Sequence, residues 1–171
     1  MSFLQNLFPD KKQRAALAPL YAAIVAEGRD PFWYREGQVP DTIDGRFDMI
    51  AAIAALVLLR LEAEGDEGRI PSVLLTETFI DDMDATLRQI GIGDYVVGKH
   101  VGRMTSALGG RVAAFRDARA SGSLAGPVRR NIFHDSPPSE TALDLVSARL
   151  EQLAARLDAA GLESLIGGRL A

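Results

Sequence analysis

The stretch Met49-Ile-Ala-Ala-Ile-Ala-Ala-Leu-Val-Leu-Leu59 places eleven apolar residues in a row before Arg60 interrupts it. A bilayer span takes about 20 such residues, so the run reads as a buried helix and not as a membrane segment. Ile50, Ile53, Leu56, Val57, Leu58 and Leu59 cover nearly every side of that helix, which suits the centre of a bundle. Asp41 and Thr42 can cap its start, it runs to about Glu64, and Gly65-Asp-Glu-Gly68 ends it.

On the N-terminal side, Asp10 or Lys11 to Gly28 carries Leu17, Leu20, Tyr21 and Ile24 at helical spacing, with Pro19 marking a kink or a late start. Arg29 to Pro40 holds two prolines, Gly37 and three consecutive aromatics, and reads as an ordered connector without a repeating period. On the C-terminal side, Pro71 is a good first-turn residue for a helix that sets Leu75, Phe79, Ile80, Met83, Leu87 and Ile90 on one broad face before Gly91. Another helix runs from Asp94 to about Ala120. Gly98, Gly102, Ser106 and Gly109 recur along it, and since each glycine costs about 1 kcal/mol against alanine, a close helix crossing is expected there. Ser121 to Gly126 is a link of mainly small residues, Pro127 to Phe133 a short helix and His134 to Pro138 a turn. Glu140 to Ala160 repeats Leu143, Val146 or Ser147, Leu150, Leu153 and Leu157 as an amphipathic helix, and a tail helix follows Gly161. Nothing alternates with period two for long enough to require a sheet. The expected fold is all-α, a single-domain bundle of about six helices over residues 11–171, preceded by an apolar and basic segment over residues 1–10.

Composition narrows the function. With 171 residues, 47% hydrophobic and 25% charged, the chain has the make-up of one globular domain. The absence of cysteine excludes disulfides, thiolate metal sites and cysteine nucleophiles. A net charge of −4 and a pI near 5.2 argue against nucleic acid as a partner, which demands basic surface. Met1 to Phe8 has neither a preceding charge nor a small-residue cleavage site, and Lys11, Lys12 and Arg14 follow its apolar part, the reverse of a secretory signal. A cytoplasmic location is expected, with weak, salt-sensitive adsorption of Ser2 to Arg14 at the inner face of a membrane.

Chemistry-bearing constellations are few. Gly93-Asp-Tyr-Val-Val-Gly98-Lys99-His100 matches a phosphate loop up to the lysine, but His100 replaces the magnesium-binding hydroxyl, Asp94 would repel phosphate, and a helix precedes it where a strand is required. Asp81-Asp82-Met83-Asp84 resembles the aspartate sets of all-α prenyl-transferring enzymes, yet those need carboxylates at i, i+1 and i+4, position 85 is Ala85, and no second cluster exists. Glu77, Asp81, Asp84 and Arg88 instead share one helix face opposite Ile80, Met83 and Leu87. The two histidines, His100 and His134, lie at no metal spacing. No cofactor is implied. Phe32, Trp33 and Tyr34 cannot all enter one core: either one or two plug the bundle while another faces out, or the loop is an aromatic surface element. Arg46 adds a guanidinium able to hold Asp41 or a partner's carbonyls.

Two segments carry a resemblance. Pro31-Phe-Trp-Tyr-Arg-Glu-Gly-Gln-Val-Pro-Asp-Thr-Ile-Asp-Gly-Arg-Phe-Asp48 and Phe79-Ile-Asp-Asp-Met-Asp-Ala-Thr-Leu-Arg-Gln-Ile-Gly-Ile-Gly-Asp-Tyr-Val-Val-Gly-Lys99, in this order and spacing, resemble the ubiquinol-cytochrome c chaperone family. Arg129-Arg-Asn-Ile-Phe133 and the helix after it are similar to its bacterial members, so the likeness runs from about Tyr21 almost to the end. The chain departs from the family in having Ile-Ala-Ala-Leu-Val where a Leu-His pair is common, and Gln89 where Glu is usual. The resemblance implies a non-catalytic assembly factor that binds newly made cytochrome b, or another assembly component of the cytochrome bc1 complex. Mitochondrial relatives work with a small partner subunit near the ribosome. The competing reading is a small all-α enzyme or a lipid- or isoprenoid-binding protein, which requires an enclosed pocket with converging polar groups.

Under the chaperone reading the expected client-binding residues are Phe32, Trp33, Tyr34, Asp41 and Arg46 on the connector, Glu77, Asp81, Asp84 and Arg88 on the charged helix face, and Asp94 and Lys99 beyond. The connector and the charged face are expected side by side, joined through Arg46.

Overall fold

Thr42 takes extended backbone (φ −120°, ψ 170°), and its Oγ1 accepts from the Gly45 N–H at 3.1 Å, so α3 (Ile43–Glu62) begins where the capping residues place it. Every residue from Asp48 to Leu61 on this helix is buried. A helix without an exposed side must be surrounded, and α3 is packed by α1 (Lys11–Gly28), α4 (Asp66–Gln89), α5 (Asp94–Ser121) and α7 (Glu140–Ala159). Three short helices complete the order: α2 (Pro31–Arg35), α6 (Ala125–Val128) and α8 (Leu162–Ile166). The computed structural model describes residues 11–89 and 94–170, without the side chains at 11, 12, 87, 94–98 and 100. Among the described residues there is no strand, and the architecture is the all-α bundle that periodicity predicts. One buried apolar cluster extends from Leu17 to Leu165.

Arg60, the residue that ends the apolar run, is 9% exposed. Its Nε donates to Leu157 O at 2.8 Å and its Nη2 to Ala160 O at 2.7 Å, so it satisfies carbonyls at the C-terminal end of α7. At the other end of α7 the Ser139 hydroxyl accepts from Ala142 N, and the inward stripe runs through Leu143, Val146, Leu150, Leu153 and Leu157.

Several expectations are corrected. Helix α4 starts at Asp66, five residues before Pro71, because Gly65 at φ +64° completes the turn alone and Asp66 and Glu67 favour a helix N-terminus. Pro71 is tolerated there because it forgoes only the bond to Glu67 O just past the first turn. Gly68 is needed for a different reason: a Cβ on it would stand 1.8 Å from Leu61 O, where α4 passes the end of α3. The connector is not irregular throughout, since Asp30 Oδ1 accepts from Phe32 N at 2.8 Å and Pro31 opens α2. Beyond α6, residues Arg129–Phe133 form a π-helical turn ending at His134, whose φ is +45°.

The crossing expected at the glycines of α5 is absent at Gly102 and Gly109, where a Cβ would meet nothing within 4 Å; Gly98 lies outside the described side chains. The buried stripe of α5 is Leu108, Val112, Phe115 and Ala118, and Gly102, Ser106, Gly109 and Gly110 lie exposed on its flank.

Candidate functional site

The corner between α2 and α3 gathers most of the first family-like segment. Trp33 is fully buried and donates from Nε1 to Glu27 O at 2.7 Å. Phe32 packs edge-on against it with ring centroids 5.5 Å apart, and the Arg149 guanidinium of α7 lies 4.5 Å from the Phe32 ring and 4.4 Å from the Trp33 ring. Arg149 also bonds Glu27 at 2.8 Å and Asp30 at 2.7 Å. That bond, with the Phe32 N–H, holds the Asp30 carboxyl below the usual carboxylate range. Of the two readings open for the aromatic triplet, the structure takes the first: Trp33 plugs the bundle and presents no contact surface to a partner.

Tyr34 is half-buried, with its hydroxyl donating to Gly28 O at 2.5 Å and its pKa pushed up to about 12 by burial. Arg46 lies over the Tyr34 ring, 5.6 Å from its centroid, and bonds Asp41 at 2.7 Å, which keeps the Asp41 carboxyl below its ordinary value. Beside this exposed pair stands Ile43 at 58% exposure, the most exposed large apolar side chain among the described residues. Local packing dictates the spacing of the segment. A Cβ on Gly37 would meet Trp33 O at 2.6 Å and Val146 Cγ2 at 2.7 Å, and one on Gly45 would stand 2.0 Å from Pro40 O. Val39 is buried, and its N–H donates to Trp33 O at 3.0 Å.

The charged face of α4 is held mainly by α1. Arg14 bonds Glu77 at 2.6 Å and Asp81 at 3.2 Å. Asp82 accepts from the Tyr21 hydroxyl at 2.7 Å, and burial, followed by this bond, pushes that phenol's pKa up. Asp84 pairs with Arg88 one turn on at 2.8 Å. The expected junction through Arg46 is not formed, because Arg46 is taken up by Asp41 and Tyr34. The two elements are anchored near opposite ends of α1, Glu77 and Asp81 on Arg14 and Tyr34 on Gly28, which are about 21 Å apart along the axis at 1.5 Å per residue. Lys99 is exposed, and the Asp94 side chain lies outside the described residues.

Sequence reasoning missed the most demanding polar cluster. Asp48, 5% exposed, forms an ion pair with Arg111, 4% exposed, and its second carboxylate oxygen lies 2.9 Å from His134 Nε2. Arg111 also donates to Asn131 O at 3.0 Å and lies over the Phe47 ring, while its Nε is buried without a partner. Burial lifts the Asp48 carboxyl above its ordinary value, against the pull of Arg111 and His134. Asp48 immediately precedes the apolar run, and that was the available signal: a carboxylate on a helix with no exposed side needs a buried partner.

Chemically, the corner offers an exposed aliphatic group, a half-buried aromatic and an exposed ion pair on a rigid base. Among the described residues no group of three His, Asp or Glu converges as a metal site would require, and no helix is long and apolar enough to cross a membrane. The family described as "Ubiquinol-cytochrome C chaperone" matches residues 35–171. The crystal structure of the Cbp3 homolog from Brucella abortus is similar to this chain, at 31% identity and a TM-score of 0.76 over 98% of this chain and 94% of that one. No curated protein matches the chain. The family match begins just after Tyr34, so the aromatic triplet precedes it while Asp41, Arg46 and Asp48 fall within it.

Proposed function

The chain belongs to the ubiquinol-cytochrome C chaperone family, and on that premise we propose that it assists assembly of the cytochrome bc1 complex by holding newly made cytochrome b at the α2–α3 corner. The observation that carries this reading is the exposure of Ile43 beside the Asp41–Arg46 pair, within the part of the chain that the family match covers. Ile43 and the half-buried Tyr34 and Phe47 supply apolar contact, while Asp41 and Arg46 set orientation and disfavour wrong partners. Trp33, Arg149, Gly37 and Gly45 fix the shape behind them. The charged border of α4 (Glu77, Asp81, Asp84 and Arg88), with Lys99 beyond, adds a second orienting field. Holding requires no bond to be made or broken, so no residue is given a catalytic role. The work is done at the cytoplasmic face of the membrane, where the client is inserted.

The reading is tested in a strain whose only copy carries Ile43→Asp with Arg46→Glu. Both side chains are exposed, so the thermal midpoint of the purified variant should match the parent. Membranes of the strain should lose the bc1 complex, read from b-type cytochrome absorbance, and a photo-crosslinker at position 43 of the otherwise unaltered chain should capture cytochrome b. Normal complex levels with a well-folded variant would refute the corner as the holding site.

A further inference from the structure

Between α4 and α5, over the outer side of α3, runs an open groove of about 550 Å³ floored by Leu58, Leu108 and Val112. Three of its lining residues carry hydroxyls, and all three are turned back onto their own helices: Ser72 donates to Gly68 O at 2.8 Å, Thr76 to Ser72 O at 2.9 Å and Thr105 to Val101 O at 2.9 Å. Their hydrogens are spent, so these walls offer mainly carbon to whatever enters. The charges at the rim are neutralised in pairs, Glu62 by Arg116 and Glu77 by Arg14, each at 2.6 Å. A groove with neutral rims and no free hydroxyl donor matches an occupant that carries no charge and satisfies its own polar groups.

The α5 wall narrows the choice. Gly109 lines the groove, Gly102, Ser106 and Gly110 lie exposed along the same helix, and an added Cβ at any of the three glycines would touch nothing. Small residues on that flank let another backbone come close, which an acyl chain does not need and a helix does. From Thr105 to Arg116 the lined wall is about 16 Å long at 1.5 Å per residue, three turns of helix and more than a side chain needs. On the α4 side the exposed Val73 and Ile70, at 48% and 46%, prolong the apolar wall. We infer that this groove receives the apolar face of a single helix from a membrane-destined polypeptide. The inference rests on the reading of the chain as an assembly factor for a membrane complex, and adds to it a second surface, distinct from the α2–α3 corner, and the chemistry of what that surface takes.

The test uses the purified full chain with a photo-crosslinker in place of Val73 and, as probe, a synthetic Leu/Ala helix of about 20 residues flanked by lysines. Irradiation should join the probe to position 73. Gly109→Gln, which fills the groove from a position with open space above it and so leaves the fold intact, should cut the yield at least about tenfold. An undiminished yield in that variant, or no adduct, overturns the inference. So does a dominant adduct to a second copy of the chain, an adduct to the chain's own residues 1–10, or suppression by a fatty acid of a yield that excess unlabelled helix leaves untouched. These outcomes do not depend on bc1 levels: a missing adduct removes the groove and leaves the corner standing, whereas normal complex levels in the Ile43→Asp, Arg46→Glu strain remove the corner and leave the groove.

Discussion

Replacing Asp48 by alanine would strand the Arg111 guanidinium in the bundle with a single carbonyl, Asn131 O, and the Phe47 ring for company. Arg111 is 4% exposed and already holds one buried N–H without a partner, so nothing nearby can take over. Removing one member of a buried pair costs about 3–5 kcal/mol, against a total stability of about 5–15 kcal/mol for a domain. The expected fall in Tm is about 6–20 °C, from about 2–4 °C per kcal/mol at this size. His134 is 52% exposed at its side chain, so His134→Ala should cost less than about 1 kcal/mol. The double change Asp48→Leu with Arg111→Met should recover most of the loss, because an apolar pair of similar volume replaces a buried ion pair at little net cost. Urea unfolding followed by circular dichroism at neutral pH measures all four proteins, with the slope checked for two-state behaviour. A cost below about 1 kcal/mol for Asp48→Ala, or a double variant no more stable than Asp48→Ala, would refute the reasoning. The pH dependence has a definite sign. Because burial raises the Asp48 carboxyl, the folded state keeps that proton to higher pH than the unfolded chain does. This protonation-linked increment is separate from the ion pair that Asp48→Ala removes at neutral pH: it is fully present below the ordinary value of about 4 and is lost as pH rises through the raised value. Asp48→Asn should abolish that decline.

Two further outcomes are expected. Gly102→Ala should stabilise the chain by about 0.5–1 kcal/mol, since the new methyl meets open space on a helix and only the glycine's backbone entropy is removed; a loss of stability in thermal melts would show that something packs there. Arg149→Ala should cost about 2–3 kcal/mol through its two bonds and its stacking on Phe32 and Trp33, discounted for the partial exposure of both carboxylates. Because Arg149 holds the Asp30 carboxyl low, that stabilisation is present above about pH 4 and lost as pH falls through the depressed value. The acid limb of the stability curve should therefore flatten in Arg149→Ala, and an unchanged limb would count against the bond.

Helix α3 was legible from its unbroken apolar run with Thr42 at its start, and α7 from apolar residues that follow a helical period; the Ser139 cap of α7 came from the structure. Where the outcome depended on residues distant in the chain, local pattern was silent. Nothing in Gly65 to Gly68 tells that Gly65 alone turns the chain while Gly68 is required by Leu61 O. A glycine's cost in a helix is equally visible whether a neighbour or open space faces it, so Gly102 and Gly109 were misread. In the site, Asp41 was one of two partners open to Arg46 because it lies five residues away, and the structure takes it, whereas Asp48, Arg111 and His134 are brought together across 63 and 86 residues. Consecutive aromatics have no period by which to tell which turns inward, and Trp33 was identified as the plug only by the tertiary position of Glu27 and Arg149.

The seating of Arg60 has a consequence during synthesis. Its hydrogen bonds to Leu157 and Ala160 cannot form until 100 further residues have left the ribosome, which takes about 5–20 s at 5–20 residues per second. For that interval the central helix, buried along its whole apolar run in the finished protein, has only α1 and the parts of α4 and α5 already made to cover it. A member of a chaperone family thus begins life with its own central apolar helix uncovered. Slowing translation between residues 60 and 160 lengthens the exposure, and aggregation of the nascent chain is where that delay would register.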